Sequence, residues 1–353
     1  MCVDFPPGIL ARALPPTVLA AACFVLAWIY TMLRVFDSER TKLSMGSNIP
    51  AVADVDRHGH VLPTDLLQDI FERVAVDSKG KEIGNLLLIA RMAKLWIEPL
   101  RFRVVRLDGS RRAHFFVDTI YTSERIARGV HHILLPSYCG WTIYDVFGIL
   151  RRCPNIQGLG LMDGFDGPAM LPLLATVAPR RLTATLSELF RSSGQINPSH
   201  PALAQITHLW LFDGEDHEDA SPILRGVCEA ATLLPSLTHL QLQIPDSTIM
   251  AALQDQLQDL LNGAPHLCCL LLRVPDTEYF GMDVSNLANT YQIADPRLVL
   301  LRDNIYDYEG GLWEDWTDGA LGGDDLWALA DDFLSAKRAK YVSGAFLSLV
   351  DHS

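Results

Sequence analysis

The chain has 353 residues, 49% of them hydrophobic and 20% charged, enough to bury a core for one elongated domain or two compact ones, so disorder is excluded as its resting state. The net charge is −13, and Leu203 to Ser353 carries 24 acidic against 7 basic residues, the wrong sign for a surface that tracks phosphates. Nucleic acid is thereby excluded as a partner, and the seven cysteines, with no CxxC pair and no zinc or disulfide spacing, fit small buried hydrophobes in the reducing cytoplasm or nucleus.

Ala13 to Leu33 is a 21-residue run without a charge, flanked by Arg12 and Arg34. As a helix it spans about 31 Å, enough for a bilayer core, which makes 13–33 a candidate transmembrane helix. Arg34, Arg40 and Lys42 on its C-terminal side then leave the body of the protein in the cytosol. The competing reading is a dispensable leader, residues 1–44, ahead of a flexible linker over 45–59, and the two readings stand level.

From Leu62 the chain reads LPTDLLQDIFERV, in which Leu66, Leu67, Ile70, Phe71 and Val74 share one face of a helix opened by Thr64 and Asp65. A polar break over 77–85 leads to LLLIARMAKLWIEPL, a second apolar helix that Pro99 stops. These residues resemble the F-box, and the extension Trp96-Ile97-Glu98-Pro99-Leu100 with Arg101-Phe102-Arg103-Val104-Val105 is similar to F-box-like leucine-rich-repeat proteins of basidiomycete fungi. The resemblance implies a helical unit over 60–100 that docks on the Skp-type adaptor of a cullin-RING ubiquitin ligase. On that resemblance Leu62, Pro63, Leu66, Leu67, Ile70, Phe71, Ile89 and Trp96 are the docking residues. The alternative is that both helices cap the following domain, and the exposure of Leu66, Ile70 and Phe71 separates the two.

Along 101–303 the pattern apolar-x-x-apolar-x-apolar recurs, with clear copies starting at Val130, Ile156, Ile206, Leu237 and Leu267 and weaker ones at Val104, Leu182 and Leu298. Pro154, Pro235, Pro265 and Pro296 each precede a start by two residues. Between copies the pattern turns helical, best over Asp246 to Gly263 and from Ser221-Pro222 to Leu234. One strand and one helix per unit predict an α/β fold: parallel strands backed by helices in an irregular leucine-rich-repeat-like solenoid, whose open sheet face is the expected recognition surface. The Asn that follows such strands in regular repeats is missing, Asp213 being the closest polar substitute. Residues 304–353 form an acidic loop and a capping helix, where Trp313, Gly322-Gly323-Asp324-Asp325-Leu326-Trp327 and Ala336-Lys337-Arg338 carry the same family resemblance.

Other constellations are weaker. His132, His208 and His239 share a repeat position, and the last two fall on neighbouring strands about 5 Å apart, which raises metal binding against ordinary polar strand positions. The run Asp213 to Asp219 lacks EF-hand spacing and reads as a solvated loop or a contact for a basic partner. The aromatic-acidic tract Tyr306 to Trp316 reads as cover for a core end rather than a ligand clamp. Gly158-x-Gly160 has the wrong spacing for a dinucleotide loop and lies in a strand copy. No catalytic motif stands out, and neither a cofactor nor a metal is assigned. The expectation is a non-enzymatic adaptor that holds a protein substrate of unknown identity on the repeats. The alternative is a stand-alone interaction domain, membrane-tethered if 13–33 spans a bilayer.

Overall fold

A computed structural model describes residues 64–77, 83–89, 91–107, 111–135, 141–161, 165, 167–213, 220–244, 247–275, 295–303, 311–341 and 346–348. The candidate membrane segment 13–33, the acidic residues 214–219, and Tyr306 to Gly310 of the aromatic tract lie outside them. Among the described residues no helix is long and apolar enough to cross a membrane.

The N-terminal unit is built from α1 (Thr64–Asp77), α2 (Ile83–Ile89) and α3 (Arg91–Ile97), followed by a 3-10 turn over Glu98–Phe102. The three helices pack on one another and on this turn. Phe71, Ala75, Ile83, Leu86 and Ile97 are buried between them, and the Phe71 ring lies 6.2 Å from that of Trp96. The 3-10 turn is the joint to the rest of the chain. Pro99 approaches Gly129 so closely that a Cβ there would sit 2.8 Å from the proline ring, and Arg125 pairs with Glu98 at 3.4 Å.

The remainder is one open sheet in which every neighbouring pair of strands is parallel and the spatial order is the chain order. The strands are β1 (Val104–Arg106), β2 (His132–Leu135), β3 (Gly158–Leu161), β4 (Arg181–Ala184), β5 (His208–Leu211), β6 (His239–Gln243), β7 (Cys269–Pro275), β8 (Leu298–Asp303) and β9 (Phe346–Ser348). Parallel neighbours need a crossover, which α4 (Arg111–Thr122), α5 (Glu124–Gly129), α6 (Ile143–Arg152), α7 (Leu171–Val177), α8 (Leu186–Leu189), α9 (Ser221–Thr232) and α10 (Ser247–Gly263) supply. Local sequence fixes their ends. Thr142 and Asp145 form a capping box on α6, and Pro222 sits in the first turn of α9.

The α/β expectation holds, and the register sharpens it. Val105, Ile133, Leu159, Leu182, Leu209, Leu240, Leu270 and Leu298 form one continuous row of partners across eight strands. Seven of the eight are at most 2% exposed, and all pack against the crossover helices. The five clear copies fall into place, since their second apolar residue lies on this row. The three weak copies do not: they must start at Phe102, Pro179 and Asp295, two residues before Val104 and three before Leu182 and Leu298. Pro296 accordingly leaves the offset shared by Pro154, Pro235 and Pro265, standing two residues before the row instead of five. Arg297 beside it ties the entry of β8 to the preceding unit. It chelates Asp295 and donates to the carbonyls of Leu261, Ala264 and Leu267 at the end of α10.

Turn residues elsewhere reach back one unit in the same way, satisfying helix-end carbonyls that would otherwise be orphaned. Arg152 donates to Ile120 and Tyr121, Asn155 to Arg128, and Ser236 to Ala204.

The second sheet face corrects the expected open surface. Leu134, Trp210, Phe212, Cys269, Leu271, Val299 and Leu301 point away from the crossover helices, and all are buried. They are covered by α11 (Gly311–Ala320) and α12 (Leu326–Arg338), which contribute Trp313, Leu326, Trp327, Ala330, Phe333 and Leu334. The C-terminal segment thus lies over the sheet rather than at the end of the stack. The turn between the two helices uses Gly322 at φ +80, a backbone state that favours glycine. The chain then returns to pair as β9 beside β8. This last crossover passes over the opposite face while the strand order continues in the same direction, so its hand is opposite to that of the crossovers made by α4 to α10. Parallel crossovers are overwhelmingly of one hand, which makes this connection an exception.

Candidate functional site

Two surfaces carry the expected binding roles. On the helical unit, Leu66 is exposed at 46% and Leu95 at 52%, while Leu67, Ile70 and Trp96 are half-buried and Phe71 is buried. The docking set is therefore divided. Leu66 presents itself to solvent, whereas Phe71 serves the unit's own core against Trp96. Leu62 and Pro63 lie outside the described residues, and Ile89 is the last residue of α2. Leu95 was not singled out in the sequence, although it lies next to Trp96 on the short helix α3.

The second surface is the covered sheet face over β2 to β6. Its first row runs through His132, Gly158, Arg181, His208, His239 and Cys269 on adjacent strands. His208 and His239 stack with ring centroids 4.2 Å apart and planes 2° from parallel. Each Nδ1 lies 2.9 Å from the hydroxyl of the preceding threonine, Thr207 or Thr238, which anchors the rings. Two parallel planes do not meet, so these rings cannot both aim a lone pair at one ion. Among the described residues no group of three or more His, Cys, Asp or Glu is placed to hold a metal.

The cover meets this row with acids and tryptophans. Trp327 stands edge-on to both stacked rings, at 5.6 and 5.7 Å, and Trp316 edge-on to His132 at 6.2 Å. Arg181 pairs with Asp325 and donates to the Gly319 carbonyl. Asp325 also caps α12 by accepting from the Ala328 amide at 2.9 Å. Gly319 must be glycine for this approach, since a Cβ there would fall 2.1 Å from the Asp325 carboxylate. His239 Nε2 is 3.2 Å from the Asp331 carboxylate. Gly158 and Gly160 belong to β3, and their missing side chains leave room into which His132 and Leu134 lean.

Burial dominates the electrostatics. Desolvation, reinforced by Arg181 and neighbouring charges, holds His132 and His208 down at about 3, so both imidazoles are neutral. Asp315 accepts from the Leu326 amide, yet burial and the Asp325 charge beside it push its carboxyl up to about 7. The convergent polar groups enclose only about 20 Å³, lined by His132, Arg181, His208, Asp315, Trp316 and Trp327 among others. That is room for a water-sized body, against the several hundred Å³ or more of ordinary ligand pockets.

Asp213 is placed differently from its expected loop. It is fully buried, and its two carboxylate oxygens accept from the Leu186 and Ser187 amides at 2.7 Å each. It therefore caps α8 from the neighbouring unit and is not free to hold a cation. Comparison with known proteins adds no kinship, for no protein-family model matches the chain and no curated protein matches it.

Proposed function

We propose that the protein is a non-catalytic substrate receptor of an F-box-type ubiquitin ligase. In this reading α1 to α3 bind a Skp-type adaptor, and the strand-and-helix units form an irregular leucine-rich-repeat solenoid that holds a protein substrate. The observation that carries it is the construction of the helical unit. It folds on its own small core around Phe71 and Trp96, joins the sheet domain through one 3-10 turn, and keeps Leu66 and Leu95 exposed. Exposed apolar residues on short helices are what helix-in-groove recognition uses. The continuous leucine row and the Asp213 bridge between successive units support the repeat reading. Its mechanism is proximity: a tethered substrate meets the ligase-bound ubiquitin carrier at raised effective concentration.

The close seating of Pro99 on Gly129 favours a second reading, in which the helices cap a stand-alone interaction domain. Co-purification separates them. The full chain, tagged and expressed in a fungal extract, retains the Skp-type adaptor, and Leu66→Asp removes it. A folded, soluble chain that retains no adaptor leaves the stand-alone domain.

A further inference from the structure

The sheet face over β2 to β6 carries one arginine and three imidazoles in a protein of net charge −13. Arg181, His132, His208 and His239 all face the cover, and the Arg273 guanidinium lies 5.6 Å from the Trp210 ring on the same side. What covers it has the complementary chemistry. Gly311 to Ala336 contains seven acidic residues and no Lys or Arg, and its three tryptophans, Trp313, Trp316 and Trp327, are set against the sheet. The contacts are specific ones: Asp325 on Arg181, Asp331 on His239, and Trp327 across both stacked imidazoles.

The interface leaves several buried polar atoms without a hydrogen bond. Gln241 lies between Trp210 and Leu271 in the register, is wholly buried, and has neither side-chain oxygen nor nitrogen hydrogen-bonded. Trp210 Nε1 and Asp315 Oδ2 are likewise buried without a hydrogen-bond partner. Buried polar atoms left unmade oppose the packing that covers them. The covering helices also arrive by a crossover opposite in hand to those made by α4 to α10. Together these features describe a segment that occupies the face by matching its charge and aromatic pattern while leaving part of its hydrogen-bonding capacity unused.

We propose that this face is a recognition site for an acidic, tryptophan-bearing amphipathic helix, and that α11 and α12 are its resident intramolecular occupant. An external segment of the same chemistry that also meets Gln241 and Trp210 Nε1 displaces them. The proposal specifies the substrate class for the receptor reading above, but it needs no adaptor, so its failure and that of adaptor docking are read in separate experiments.

The test uses the full chain and a fluorescent peptide of residues 311–338. The unaltered chain binds it weakly, because the site is filled. The double variant Asp325→Ala, Asp331→Ala loosens the resident segment and binds the peptide at least 10-fold more tightly, and adding Arg181→Glu removes that gain. Hydrogen exchange on the unaltered chain provides a readout that needs no variant. The α12 amides exchange through a local opening that is insensitive to denaturant, while those of β5 to β7 require global unfolding. A folded double variant that binds no better than the unaltered chain overturns the proposal, as does exchange of α12 only with global unfolding.

Discussion

Removing the Asp213 carboxylate tests whether this side chain, rather than a turn asparagine, ties successive units together. Its two oxygens each accept one buried amide, from Leu186 and Ser187, at 2.7 Å, and α8 has no side-chain cap of its own, since Thr185 makes none. Asp213→Ala strands both donors. At ~1–3 kcal/mol for each buried group left unmade, the loss is ~2–6 kcal/mol. Asp213→Asn keeps one acceptor oxygen and loses roughly half as much. Urea unfolding followed by circular dichroism measures it: with a slope of ~3 kcal/mol/M, the alanine midpoint falls by roughly 1 M with the slope unchanged. An alanine variant within ~0.5 kcal/mol of the parent would falsify the cap.

Three further outcomes follow from the geometry. Asp315 is stabilising only while protonated: its share is fully present below the ordinary carboxylate range and is lost as pH rises towards about 7, so Asp315→Asn matches the parent near pH 4 and exceeds it at pH 8. The gap, up to ~4 kcal/mol at ~1.4 kcal/mol per pH unit, is read from paired urea curves, and an equal gap at both pH values refutes the assignment. Gly158→Ala places a Cβ 2.3 Å from the His132 ring and costs ~1–3 kcal/mol in thermal unfolding, and a second change, His132→Ala, recovers part of that loss. Arg297→Ala frees the end of α10 at a cost of about 2–4 kcal/mol, and Arg297→Lys, lacking the planar fork, restores less than half of it in the same assay.

Much of the sheet could be read from the chain because the buried row repeats apolar residues at fixed spacing. Where that spacing broke, the reading slipped by two residues at Val104 and by three at Leu182 and Leu298. Leu182 and Leu298 satisfy the first and second places of the pattern equally well, and only strand pairing chooses between them. The covered face was legible too, but in a different signal. Runs such as His208-Leu-Trp-Leu-Phe212 and Leu298-Val-Leu-Leu301 are apolar at consecutive positions, the mark of a strand buried on both sides. Reading only the leucine periodicity treated Trp210, Leu271 and Val299 as open positions and left the face bare. Leu95 escaped notice because Trp96 beside it carries the family resemblance, while its own exposure is set by tertiary packing that a pattern does not contain.

The adaptor claim is met most directly by hydrogen exchange on the purified full chain, alone and mixed with a purified Skp-type adaptor. Adaptor docking slows exchange only in α1 and α3 around Leu66 and Leu95, an effect abolished by Leu66→Asp, with β1 to β8 unchanged. No slowing at saturating adaptor, or slowing that falls on the sheet domain instead, contradicts it.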